Sequence, residues 1–173
     1  IAKAQQPDGY LNTYFTIKAP NRRWTNLKEE HELYTAGHFI EAAVAYYQAT
    51  GKRKLLDVLC RFVDVIEATF GTESDKLHGY PGHEEIELAL VKLYRATGEE
   101  RYLRLSQYFL DERGKEPFYF DLEYEKRGGT EHLQGHRNLG RSYDQAHQPV
   151  REQATAEGHS VRAVYLFSGM ADV

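Results

Sequence analysis

Apolar side chains recur every three or four positions through most of this chain, and the recurrence divides it into helices. Leu33, Phe39, Ile40, Ala43, Val44 and Tyr47 fall on one face of a stretch from about Leu27 to Thr50, and Gly51 supplies the stop. Leu55, Leu56, Leu59, Phe62, Val63 and Ile66 do the same from about Arg53 to Phe70, ahead of Gly71. A third helix is expected from about His83 to Thr97, and a fourth from about Glu100 to Glu112, before Gly114. Helices joined by such short glycine turns pair as antiparallel hairpins.

The second hairpin repeats the first. Displaced by 47 positions, Ala42-Ala43-Val44 falls on Ala89-Leu90-Val91, Tyr47 on Tyr94, Ala49-Thr50-Gly51 on Ala96-Thr97-Gly98, and Phe62-Val63 on Phe109-Leu110. The matched residues are the apolar stripe and the helix-ending glycine, which is what stacked hairpins require of each unit. A third copy begins with Val161, Val164, Tyr165 and Ser168-Gly169. The fold class is therefore all-α. Between the second and third copies runs a long loop, residues 114–149, with a double glycine and two prolines. Its string Pro117-Phe118-Tyr119-Phe120-Asp121 is too aromatic for a linker and should pack on the helices, while Arg127 to Arg141 is expected to be mobile.

Composition narrows the function classes. The 173 residues are 41% hydrophobic with a formal net charge of -4, which offers no basic field for nucleic acid or anionic lipid. No apolar run is long enough to span a bilayer. The chain opens on Ile1 rather than Met and stops just after an apolar stripe, so both ends read as cuts. The one cysteine, Cys60, sits in an amphipathic stretch and reads as a small core residue, since nothing in the sequence places a base beside it. Glu29, Glu30 and Glu32, and again Glu84, Glu85 and Glu87, cluster where helices start, where negative charge favours the helix dipole.

Eight histidines are more informative for their positions than for their number. His31 and His83 stand near helix starts, where polar groups of successive hairpins can converge on one ligand. A metal site is the weaker reading. His31 and His38 lie two turns apart, about 10 Å, too far to share one ion. His132 and His136 have helical spacing, but in a glycine-rich surrounding. No metal site is expected from this chain alone.

Five ordered strings carry a resemblance: Gln5-Gln6-Pro7-Asp8-Gly9-Tyr10-Leu11-Asn12-Thr13-Tyr14-Phe15, His31-Glu32-Leu33-Tyr34, Gly37-His38, Gly79-Tyr80-Pro81-Gly82-His83, and Gln145-Ala146-His147-Gln148-Pro149-Val150-Arg151-Glu152-Gln153. Together they resemble glycoside hydrolase family 127 over nearly the whole chain. The resemblance implies an exo-acting bacterial β-L-arabinofuranosidase, a carbohydrate substrate, and an (α/α)6 barrel of which residues 1–173 are an incomplete part, followed in the family by β-rich domains. It further implies that His31, His83 and His159 contact the sugar at the −1 subsite, with His38 an alternative to His31, and His147 and Glu152 in supporting positions. The family's retaining mechanism uses a zinc-bound cysteine thiolate as nucleophile and a glutamate as acid and base. Those residues fall outside this sequence, and Cys60 does not match them, so no catalytic residue is expected here and no zinc bound by this chain alone. Two other readings stand beside this one: an (α/α)6 enzyme acting on a different glycan, and a non-catalytic helical-repeat interaction domain, for which a period of 47 suits HEAT-like pairs.

Overall fold

The structure, a computed structural model, describes residues 1–131, 135 and 138–173. Among these, seven α-helices follow in order: α1 (Thr13–Ile17), α2 (Glu32–Thr50), α3 (Lys54–Thr69), α4 (Ile86–Thr97), α5 (Glu100–Glu112), α6 (Tyr119–Lys126) and α7 (Ser160–Asp172). The described residues form no strand beyond a lone bridge between Phe70 and Leu77. No described helix is long and apolar enough to cross a membrane.

The stripes pack as the pattern dictates. α2 pairs with α3 and α4 with α5, while α4 also lies against α2 and α7. That central position buries Ile86, Leu88, Ala89, Leu90, Val91 and Leu93 together. The repeat is literal at the turns. Gly51 and Gly98 both adopt left-handed φ, 69° and 78°, and donate their N–H groups to Tyr47 and Tyr94 at 2.7 Å. α7 carries the third stripe, with Ala163 and Leu166 buried and Val161, Val164 and Met170 exposed.

Two helices start later than their stripes suggest. α2 begins at Glu32 rather than near Leu27, because the single turn closed by the Glu30 N–H on the Asn26 carbonyl is interrupted at His31; the N–H groups of Leu27 and Lys28 in that turn donate to the Glu123 carboxylate of α6. His31 then turns the chain at φ 56°, a left-handed conformation that costs a non-glycine residue about 1–3 kcal/mol. α4 begins at Ile86 rather than His83, since Glu85 is extended (φ 169°) and Pro81 to Glu84 form a tight turn. The acidic clusters at these starts do more than face the helix dipole from solvent: Glu87 accepts the backbone N–H of Glu85 at the start of α4, at 3.0 Å. Glu29, Glu32, Glu84, Glu85 and Glu87 are all buried.

Much of the described part of the 114–149 segment packs on the helices. Phe118, just before α6, and Phe120 within it pack into the core, and Arg141–Asp144 form a 3-10 turn ending on buried Asp144. The middle of the stretch expected to be mobile, with His132 and His136, lies outside the described residues.

Gly82 shows how tightly the two late starts are joined. Its N–H donates to Leu27 at 2.9 Å, and a Cβ there would drive into the Lys28 backbone. Gly82→Ala is expected to cost about 1–3 kcal/mol, the usual range for overpacking. A thermal melt indistinguishable from wild type would show that this contact is not tight.

Candidate sugar-binding site

The late helix starts bring the histidines together. His31 precedes α2, His83 lies in the turn before α4, and His159 precedes α7, each a residue or a few before its helix. The His31 and His83 ring centres are 5.8 Å apart, and both meet Tyr34 of α2, at 5.6 and 4.3 Å. Tyr165 of α7 closes the group, 5.9 Å from His83, 6.0 Å from His38 and 6.3 Å from Tyr34. His159 stands against Tyr143 at 5.2 Å, and its charge would be felt at His83.

The ring nitrogens are committed. His83 Nδ1 lies 2.9 Å from the Glu84 carbonyl and His31 Nδ1 lies 2.7 Å from the Glu29 carbonyl. A carbonyl only accepts, so each Nδ1 carries the proton and a neutral ring presents Nε2 as an acceptor. Burial, with Arg162, His31 and His159 nearby, pushes His83 down to about 4. The His83 ring is therefore neutral across the physiological range.

A buried ionic network fixes this geometry. Arg113, at the end of α5, is fully buried and reaches Glu84 at 2.9 Å and Glu87 at 3.2 Å. It also donates to the carbonyls of Asp144 (2.8 Å) and Pro81 (2.7 Å). Arg162 of α7 donates to the Gly82 carbonyl at 2.5 Å and pairs with Asp144. The turn bearing His83 is thus clamped by α5, by α7 and by the 3-10 turn at Asp144. On the other side Glu32 accepts the Trp24 N–H at 2.7 Å and the Tyr10 hydroxyl, tying the Asp8-Gly9-Tyr10 string to the residue beside His31. Burial raises Glu32 to about 7.

Of the six residues proposed from sequence, His31, His38, His83 and His159 lie around Tyr34, Tyr143 and Tyr165. His147 and Glu152 lie in the following turns instead. His147 Nε2 is 4.0 Å from Glu157, and Glu152 is exposed at the end of a 3-10 turn packed on α5. The sequence reading missed Tyr34 and Tyr165 as members of the group, and it missed the buried carboxylates. The run Gly82-His83-Glu84-Glu85, polar directly after a Pro-Gly turn, was the available signal. A cavity of about 630 Å³ lies elsewhere, lined by Trp24, Tyr119, Leu77 and Arg127 and by none of the histidines.

His38 Nδ1, Glu41 and Glu85 also approach one another, with ligand-capable atoms all within 4.8 Å. The thiolate-ligated zinc that the resemblance implies has no cysteine donor in this group. Cys60 is half-buried on α3 near Tyr102, and burial pushes its thiol up.

Two outcomes follow from the network and the ring chemistry. Arg113→Met strands two buried carboxylates and should lower stability by about 3–5 kcal/mol, read from the urea midpoint; an unchanged midpoint would mean that the pair contributes nothing. In ¹⁵N-histidine spectra the His83 ring should stay in its Nδ1–H neutral form until the pH approaches about 4. Because its folded value lies below the ordinary 6.5, the stability it contributes is present above that pH and lost as pH falls towards 4. Protonation of His83 near pH 6.5 would contradict the assignment.

Comparison with known proteins gives the family. The model of the β-L-arabinofuranosidase GH127 catalytic domain matches residues 1–173. The chain is 47% identical over 177 aligned positions to a non-reducing end β-L-arabinofuranosidase of Bifidobacterium longum subsp. longum, covering all of this chain and 27% of that protein. It superposes on the crystal structure of a GH127 β-L-arabinofuranosidase from Geobacillus stearothermophilus T6 with a TM-score of 0.91 and 59% identity, over 96% of this chain and 26% of that one. A second GH127 β-arabinofuranosidase structure matches with a TM-score of 0.80 and 43% identity, over 99% and 25% of the two chains. The chain spans about a quarter of the length of these relatives. It belongs to the GH127 β-L-arabinofuranosidase catalytic-domain family, and its helices are part of that family's helical barrel.

Proposed function

We propose that this chain supplies one wall of the sugar subsite in a glycoside hydrolase that releases β-L-arabinofuranose from arabino-oligosaccharides or glycoproteins with retention. The observation that carries the reading is the convergence of His31 and His83 on Tyr34, with both Nδ1 protons spent on backbone carbonyls. Rings held this way offer Nε2 lone pairs in fixed directions, suited to accept from sugar hydroxyls. His159 adds a third imidazole from α7, and its Nδ1 is buried without a hydrogen bond. Tyr34 and Tyr165 supply ring faces against which a furanose can pack, and hydroxyls that donate or accept.

In this reading the chain binds and orients; it does not break the glycosidic bond. The nucleophile and the acid/base pair that retention requires have no counterpart in the group described. The thiolate chemistry implied by the family needs zinc-ligating cysteines, and the single half-buried Cys60 does not fit that requirement. The activity therefore belongs to a longer polypeptide that carries this segment.

Hydrolysis of p-nitrophenyl β-L-arabinofuranoside by that full-length protein tests the reading. Turnover is expected, confined to this sugar among p-nitrophenyl glycosides of other configurations. His83→Ala and His159→Ala should each lower kcat/KM by about a hundredfold, the cost of removing one hydrogen-bonding group engaged in the transition state. Turnover of another glycoside instead would keep the barrel and replace the substrate. Full activity in both variants would remove the histidines from the subsite.

A further inference from the structure

We propose that His38, Glu41 and Glu85 bind a divalent metal cation where α2 meets the start of α4. His38 and Glu41 share one face of α2, one turn apart, and Glu85 reaches them from the residue preceding α4. Gly37 makes this approach feasible, since a Cβ there would collide with the Glu85 carboxylate. His38 Nδ1 lies 3.3 Å from Glu85 Oε1 and 3.6 Å from Glu41 Oε2. All three ligand-capable atoms fall within 4.8 Å of one another. An ion with bonds of about 2.1 Å sets its ligand atoms about 3 to 4 Å apart, so the group needs only a small contraction to close on one.

A second observation points the same way. Glu85 is completely buried, and its carboxylate faces only His38 Nδ1, at 3.3 Å, and the carboxylate of Glu41, with which it shares a hydrogen bond. Two such oxygens are costly to hide unless a cation or a proton compensates them. The neighbouring Lys92 ammonium is bonded to the other oxygen of Glu41, which leaves Oε2 facing His38. The position is also reachable, because a cavity of about 480 Å³ lined by Glu41, Lys92, Leu88 and Tyr165 opens beside it. One imidazole nitrogen with carboxylate oxygens and no thiolate suits Mn²⁺, Fe²⁺ or Zn²⁺. The inference rests on these residues and not on the sugar reading. It departs from the sequence expectation that the chain binds no metal, because that expectation weighed His38 only against His31 and never against carboxylates of another helix.

The test is an electron paramagnetic resonance titration of Mn²⁺ into the full-length protein with its other metals left in place. One equivalent of Mn²⁺ should lose its free-ion signal in wild type. Binding should weaken about tenfold or more in Glu85→Gln and in His38→Gln, and tighten in Lys92→Met, which removes the competing charge. His38 is partly exposed, so His38→Gln carries the comparison should Glu85→Gln fail to fold by circular dichroism. Absence of this equivalent in wild type, or its retention at full affinity in His38→Gln, overturns the proposal and leaves a proton shared between Glu41 and Glu85 as the compensation. Arabinofuranosidase activity unchanged by Mn²⁺ has no bearing on either result, so the two readings fail separately.

Discussion

The guanidinium of Arg113 is the constraint on which the rest of this structure depends. It lies fully buried among Glu84, Glu87 and the carbonyls of Pro81 and Asp144, so the end of α5 cannot leave the turn before α4 without stranding charge. Arg162 completes the arrangement from α7 through Gly82 and Asp144, and Lys28 adds an ammonium 3.8 Å from the same aspartate. Formally, three cations meet three carboxylates. A core of leucines would hold these helices together with equal or greater stability. It would not fix the direction in which the turn before α4 presents one imidazole, because apolar contacts are non-directional. The ionic network does, and this accounts for polar residues where an efficient packing would place apolar ones.

The helical array was legible because it depends on local pattern. The stripe of α5 and the glycines at 51 and 98 announce themselves within a few residues, and the structure places both glycines in the same cap geometry. The beginnings of α2 and α4 were not legible for a physical reason. Glutamate near a helix start is ordinarily a solvent-facing partner of the dipole, and it becomes a core residue only where distant groups supply a cation or hydrogen-bond donors, as Tyr10 and the Trp24 N–H do for Glu32. For Glu84 and Glu87 that cation is on α5, and for the backbone at Leu27 the partner is the Glu123 carboxylate on α6. Nothing within a helix turn of either cluster signals those partners.

The site divides in the same way. The resemblance named His31, His83 and His159, and the fold draws their neighbourhoods together. Tyr34 and Tyr165 escaped notice because a tyrosine on an apolar stripe reads as packing until the crossing of α2, α4 and α7 is known. His38 is the reverse case. Its motif suggested a sugar contact, whereas its nearest polar neighbours are the carboxylates of Glu41 and Glu85.

The ring nitrogens explain why histidine and tyrosine occur together here. With Nδ1 bonded to a carbonyl in its own turn, each imidazole can only accept at Nε2, and burial keeps His83 from gaining a second proton. A wall of acceptors alone would recognise hydroxyl hydrogens but leave hydroxyl oxygens without donors. The phenol groups of Tyr34 and Tyr165, which meet each other beside the imidazoles, are O–H donors of the kind required. In the proposed subsite, fixed acceptors beside phenol donors would read the orientation of hydroxyl groups rather than charge, and the fixed directions come from the arginines beneath.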